Sequence, residues 1–291
     1  MTRAFRPGTL VEALRILGDG ELAARAIAGC TDLLVVDAAT GRRHPAVVDL
    51  QRLEELRGIR RAGEWIDVGA AVTFAELRAD PEVRRHLPSL AAAAATVGAW
   101  QIQNRATLGG NIANASPAGD SLPVLLTLGA ELHLADARGE RHLPYDEMHV
   151  AYRQTALWPG ELIVRVRFPV PEPDSVQAFE KVGTRAAQAI SKVVVAFAAG
   201  RDGNRLCDVR LAAGSVAAVP LRLTGAERAL EGVVPDEQAA DAACEAARAA
   251  VTPLDDVRST AAYRTWVLGR VVRRMVLDAG AIADAPIQDE R

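Results

Sequence analysis

Two stretches carry residue types that could do chemistry. The first is Thr107 to Leu126, TLGGNIANASPAGDSLPVLL, and the second is Ile27 to Leu34, IAGCTDLL. In each, small residues come where a chain must pass close to something, followed by polar side chains and then an apolar run. Gly109 and Gly110 lack a Cβ, so a turn built on them can adopt positive φ and turn bare N–H groups toward an anion. Thr107 adds a hydroxyl, Asn111 and Asp120 add side-chain donors and acceptors for ligand hydroxyls, and Pro117 stiffens the chain between them. Gly29, Thr31 and Asp32, directly after Ala26-Ile27-Ala28, would form the opposing half of the cradle. The expectation is two glycine-centred loops closing on one pyrophosphate.

Other chemistries find little support. His44, His86, His133, His142 and His149 show no metal-ligand spacing, and no G-x-S-x-G elbow or phosphate-loop lysine is present. Cys30, Cys207 and Cys244 are odd in number and far apart, which predicts free thiols and neither a metal nor an iron–sulfur cluster in this chain. Gly18-Asp19-Gly20 through Ala23 spells a dinucleotide fingerprint, but a helical pattern precedes it where a strand is required.

The chain has 291 residues, 49% of them apolar and 24% charged, with a net charge of −3. The length suits one large or two ordinary domains, and the composition is that of an ordinary globular protein with no basic stripe for nucleic acid. No apolar run reaches the roughly 18 residues of a membrane span, and the N-terminus has no signal-peptide pattern, so a cytoplasmic address is expected. Only Lys181 and Lys192 stand against 32 arginines.

The elements that must hold the loops can be read from patterning. Leu10 to Leu17 reads as a helix with Thr9 as N-cap and Glu12 completing a capping box. Ala24 to Ala28 reads as a short buried strand feeding the first loop, and Leu33 to Ala38 as a helix. A hairpin is predicted around Ala62-Gly63-Glu64, a capped helix at Thr73, and an alanine-rich helix from Pro88 to Val97. Ser121 to Leu128 should be a helix with its N-terminus aimed at the second loop and Asp120 near its cap. Leu162 to Phe168 reads as an edge-compatible strand. Three prolines within Pro169 to Pro173 predict an extended linker. This divides the chain into residues 1–170, residues 175–280 with antiparallel strands and then helices, and a loose tail at 281–291. The fold class is α+β.

The pair of loops, AGCTDLL and TLGGNIANASPAGD, resembles the flavin-binding medium subunit of the molybdenum hydroxylases, the xanthine dehydrogenase and carbon monoxide dehydrogenase family. The resemblance extends from FRPGTLVEALRIL to DVRSTAAYRTWVLGRVVRR. It implies a two-lobed FAD-binding domain of the vanillyl-alcohol-oxidase type followed by an antiparallel-sheet-plus-helices C-terminal domain. It further implies that Ala28, Gly29, Cys30, Thr31, Asp32 and Leu33 on one loop hold FAD together with Thr107, Gly110, Asn111, Ala113, Gly119 and Asp120 on the other. Cys30 departs from the glycine usual in bacterial relatives. Its backbone N–H would still serve provided that φ need not be positive, and the plain reading is a small buried thiol.

Lys181 matches a position beside the flavin ring, where a cation would stabilise the anionic reduced form. The competing reading is a solvated strand-end lysine. Ile102 and Leu157 match positions near the cofactor and equally suit plain core, while Trp100 and Trp158 suit flavin neighbours, interface anchors or simple packing.

By the same resemblance the chain is an electron-transfer subunit of a three-subunit hydroxylase. A small subunit with two [2Fe-2S] clusters and a large molybdopterin subunit would be its partners, NAD or another acceptor would take the electrons, and the assembly would be a dimer of heterotrimers. A xanthine dehydrogenase type is favoured, with carbon monoxide, an aldehyde or an N-heterocycle as the alternative substrate. The rival from another class is a non-catalytic nucleotide-binding protein. No residue of this chain is expected to act as an acid or base.

Overall fold

A computed structural model describes residues 2–284. The chain opens with β1 (Arg3–Phe5), α1 (Leu10–Leu17), β2 (Ala24–Ile27), α2 (Leu33–Thr40) and β3 (Ala46–Asp49). The strands form a parallel three-stranded sheet in the order β1-β3-β2. β2 is therefore an edge strand, half-buried rather than fully buried, and this leaves its C-terminal end and the adjoining loop accessible.

Thr9 caps α1, its hydroxyl accepting the Glu12 N–H at 3.2 Å. Glu12 reaches back to the N–H of Gly8 at 2.9 Å instead of that of Thr9, so the box closes one residue early. Gly18 ends the helix, in keeping with the rejection of a dinucleotide fingerprint there. Ala13, Leu14, Ile16 and Leu17 turn inward and share a core with Ala71, Ala135 and Leu162 of the next unit.

That unit comprises β4 (Ile59–Ala62), β5 (Trp65–Gly69), α3 (Phe74–Ala79), α4 (Pro81–His86), α5 (Pro88–Thr96), α6 (Trp100–Gln103), α7 (Leu108–Asn114) and α8 (Leu122–Thr127). β6 (Glu131–Asp136), β7 (Gly139–Pro144), the small β8 (His149–Ala151) and β9 (Gln154–Thr155) pair, and β10 (Leu162–Pro169) complete it. An antiparallel sheet runs β4-β5-β10-β6-β7. β10 is thus the central strand and not an edge. Its proline comes last, at Pro169, where the missing N–H interrupts no further ladder bond. Alternation does the rest, because Leu132, Leu134, Val166 and Phe168 face the helices while Glu131, His133, Arg165 and Arg167 face the other way.

Beyond the proline-rich stretch, β11 (Val176–Val182), β12 (Val193–Asp202), β13 (Arg205–Gly214) and β14 (Leu221–Arg222) form an antiparallel sheet in chain order. The last strand of this sheet is only the two residues Leu221–Arg222. α9 (Thr224–Leu230), α10 (Glu237–Ala249) and α11 (Ala261–Asp284) cover one face. The other face meets α5 and α8, with Ala196 and Ala212 joining the core of the preceding unit. β12 is accordingly apolar on both sides, as a doubly covered strand must be. α11 continues to Asp284, past Ala281 where a loose tail was expected to begin, and the remainder of that tail lies outside the described residues.

The connection between β5 and α7 sets the position of the second glycine stretch. Thr73 forms a complete capping box, accepting the Glu76 N–H at 3.2 Å while Glu76 accepts its N–H at 2.7 Å. The next N–H, of Phe74, donates to Ala106 O at 3.1 Å, tying α3 to the segment that enters α7. Thr73→Ala should destabilise the protein by about 1 kcal/mol in urea unfolding, the usual cost of a lost cap.

Candidate functional site

The loop after β2 and the segment entering α7 come together. Gly29 lies so close to the 105–106 backbone that a Cβ there would sit 2.6 Å from the Arg105 carbonyl carbon and overlap its oxygen. Glycine is required at this position for close approach, since its φ is not positive. Gln51 holds the loop from behind, donating from Nε2 to Ala28 O at 2.6 Å. Arg153 lies across both segments, 3.9 Å from Asp32 Oδ2 and 3.5 Å from Asn114 Oδ1.

The two loops differ in what they offer. Gly109 and Gly110 do not form an open turn, because they are the first turn of α7 capped by Thr107. Their N–H groups are already used, Gly109 on Ala70 O at 2.9 Å and Gly110 on Thr107 Oγ1 at 3.1 Å. The expectation of bare amides there is corrected: Gly109 is small because a Cβ would lie 2.7 Å from that of Ala70. The first loop behaves as the second was expected to. Among the described residues, the backbone N–H groups of Cys30, Thr31, Asp32 and Leu33 donate to no protein acceptor. Four successive free amides around a left-handed residue make a concave donor surface suited to an anion.

That left-handed residue is Cys30, with φ +59°. The condition under which cysteine replaces glycine without cost is not met, and the strain amounts to about 1–2 kcal/mol. Burial pushes its thiol above the ordinary 9.0, with Arg105 acting in the opposite direction, so the thiolate is scarce.

A cavity of about 420 Å³ opens beside these loops. Ala28, Thr107, Gly110, Ala113 and Leu157 line it, and Trp158 forms part of the wall. The guanidinium groups of Arg138 and Arg141 lie 4.9 Å and 4.2 Å from the centre of the Trp158 ring. Buried Glu161 anchors this corner by pairing with Arg141 at 2.7 Å and accepting the Trp158 N–H at 2.9 Å. No pattern along the chain marks Gln51 or Arg153, whose partners are distant in sequence, or the pairing of Glu161 with Arg141.

Asp120 and Lys181 meet elsewhere, at the junction with β11. Asp120 does not cap α8, and its Oδ2 lies 2.5 Å from Lys181 Nζ, which also donates to Thr96 O at 2.9 Å. Both side chains are buried, so the solvated-lysine reading is corrected too. Asp120 Oδ1 is buried without a donor, an acceptor that a ligand hydroxyl would satisfy. Burial raises the Asp120 carboxyl from 3.8 to about 6, and the Lys181 charge and hydrogen bond oppose this.

Gly119 precedes this aspartate, and Asn111 accepts the Ser121 hydroxyl at 2.7 Å, so α7 bridges the cavity and the ion pair. Ile102 packs under Gly98, where a Cβ would come within 2.6 Å of it. Trp100 is exposed and stacks on Arg78 at 3.8 Å. Lys192 sits 5.0 Å over the Tyr263 ring.

At the first loop, Cys30→Gly should raise stability by roughly 1 kcal/mol, net of the extra chain entropy of glycine, as read from the denaturation midpoint. At the ion pair, the raised Asp120 carboxyl favours the folded state fully below 3.8, and that contribution is lost as pH rises through about 6. Relative to Asp120→Asn, the unliganded protein should therefore lose up to about 3 kcal/mol of stability between pH 3.5 and 7, measured by urea unfolding at each pH.

Comparison with known proteins agrees with this geometry. The family described as the FAD binding domain in molybdopterin dehydrogenase matches residues 1–171, and the CO dehydrogenase flavoprotein C-terminal domain matches residues 177–279. The xanthine dehydrogenase FAD-binding subunit of Escherichia coli O157:H7 is 32% identical over 97% of both chains. The nicotine 6-hydroxylase medium subunit of Paenarthrobacter nicotinovorans is 30% identical over 96% of this chain and 97% of the relative. A solved carbon monoxide dehydrogenase from Hydrogenophaga pseudoflava superposes with a TM-score of 0.93 at 30% identity, covering 98% of each chain. Both halves of the chain thus match, and the chain belongs to the family of FAD-binding subunits of molybdenum hydroxylases, which are oxidoreductases.

Proposed function

We propose that this chain is the electron-transfer subunit of a molybdenum hydroxylase, holding FAD between the loop Ala28–Leu33 and α7 with the pyrophosphate on the first loop. The observation that carries this reading is the run of unpaired N–H groups from Cys30 to Leu33 beside a cavity of about 420 Å³. A diphosphate supplies the acceptors those amides lack, and Gly29 leaves the room they need. Thr107, Gly110, Asn111 and Ala113 give the opposing wall. Gly119, Asp120 and Lys181 hold the far end, where Asp120 Oδ1 accepts a hydroxyl and the lysine brings positive charge. Ile102 and Leu157 supply apolar contact. FAD, when bound, supplies the reversible electron transfer that no side chain of this protein offers.

In this assignment residues 1–170 form the cofactor domain and residues 175–280 the second domain. A small subunit with two [2Fe-2S] clusters delivers electrons, a large molybdopterin subunit oxidises the substrate, and NAD or another acceptor receives the electrons. The complex works in the cytoplasm as a dimer of heterotrimers. Among the described residues no helix is long and apolar enough to cross a membrane. The xanthine dehydrogenase type is preferred because that subunit matches 97% of this chain at 32% identity, where a 6-hydroxypseudooxynicotine dehydrogenase subunit of equal identity matches 92%.

The purified chain should be yellow and retain one FAD per chain. Gly29→Ala, which presses the loop away from Arg105, should lose roughly tenfold or more in FAD affinity by fluorescence titration, at least about 1.4 kcal/mol. A folded, colourless protein unable to take up added FAD would overturn the assignment. Co-purification with iron and molybdenum tests the partners separately.

A further inference from the structure

The outward face of the five-stranded sheet carries a group of side chains that the flavin site does not use. In the β6–β7 ladder His133 stands directly opposite His142, and Glu131 is two residues from His133 on the same face. The imidazole rings lie 3.8 Å apart. Glu131 Oε1 is 2.9 Å from His142 Nδ1 and 3.6 Å from His133 Nε2. One ligand atom from each of the three residues falls within 4.8 Å of the others. His133 Nε2 is buried and makes no hydrogen bond.

We propose that Glu131, His133 and His142 form a binding site for a divalent transition-metal ion of the zinc type. Two imidazole nitrogens and one carboxylate oxygen are the donors such an ion selects, and three protein ligands leave a further position for water. Ligand atoms around a tetrahedral ion at about 2.0–2.1 Å stand roughly 3.3 Å apart, so small side-chain rotations close the set. His142 is half-exposed, which provides the entry path and the open position.

The surroundings set the strength. Arg167 approaches Glu131 Oε1 to 3.9 Å but is also drawn to Asp67 at 3.4 Å and lies 4.6 Å over the Trp65 ring. Arg60 and Arg165 share the same buried aspartate, at 3.5 Å and 3.4 Å. The positive charge of Arg167 weakens the site without filling it. An ion there would clip β7 to β6 across the hairpin.

The test uses the full chain in its native complex, stripped with a chelator and titrated with Co²⁺ as a spectroscopic probe. A saturable ligand-field spectrum at one equivalent, displaced by Zn²⁺, is expected. His133→Ala and His142→Ala should each weaken binding by more than the roughly 10–100-fold cost of losing an outer-shell partner. Arg167→Gln should tighten it. Circular dichroism shows that the variants are folded, and because the half-exposed His142→Gln leaves the core intact, it stands in if His133→Ala fails to fold. Absence of the spectrum in the unaltered protein, or its persistence undiminished in folded His142→Gln, would overturn the proposal.

Discussion

The structure depends on one close approach, the backbone of Gly29 lying against that of Arg105 and Ala106. Two lobes with separate sheets can share a ligand only if their loops come within reach of the same group. Here nothing larger than a hydrogen side chain fits between them. The contact fixes where the first loop stands, and the loop then turns through Cys30 to leave a row of free amides. Helix α7 provides the rigid side of the same cleft. Its first-turn N–H groups are spent on Ala70, Val72 and Thr107, whereas those of the first loop have no protein acceptor.

A second constraint joins the antiparallel sheet of the C-terminal part to this cleft. Lys181 on β11 reaches Asp120 on the segment between α7 and α8, and Ser215 N–H donates to Pro117 O at 2.8 Å nearby. A carboxylate held this far from water is costly unless its partners remain in place, so the sheet and the segment are coupled through a buried charge pair. Such a coupling fixes the position and local charge of the segment between α7 and α8 relative to β11. Relatives named for xanthine, nicotine and carbon monoxide lie at 30–32% identity without separating. A holder of one common cofactor bears no imprint of substrate.

Much of this was legible along the chain, for physical reasons that can be named. Caps such as Thr9 and Thr73 act within four residues, and strand alternation and glycine placement are likewise local. The two glycine loops were legible as a pair because small residues succeeded by polar ones and an apolar run are unusual twice over. At Gly109 and Gly110 the pattern pointed the wrong way. Two neighbouring glycines suit an open turn as well as a tightly packed helix start, and only the position of Ala70 decides between them.

The sequence by itself determined the α+β class and the two small-residue stretches, which rest on short-range pattern, while the cofactor followed from its resemblance to a known family. Tertiary structure alone decided that β10 is central, that Cys30 is left-handed, that Asp120 serves Lys181 instead of a helix end, and that His133 meets His142. Each of these is a pairing between residues brought together by sheet register or lobe packing. Such pairings depend on which strand lies beside which, and nothing in the spacing along one strand encodes its neighbour.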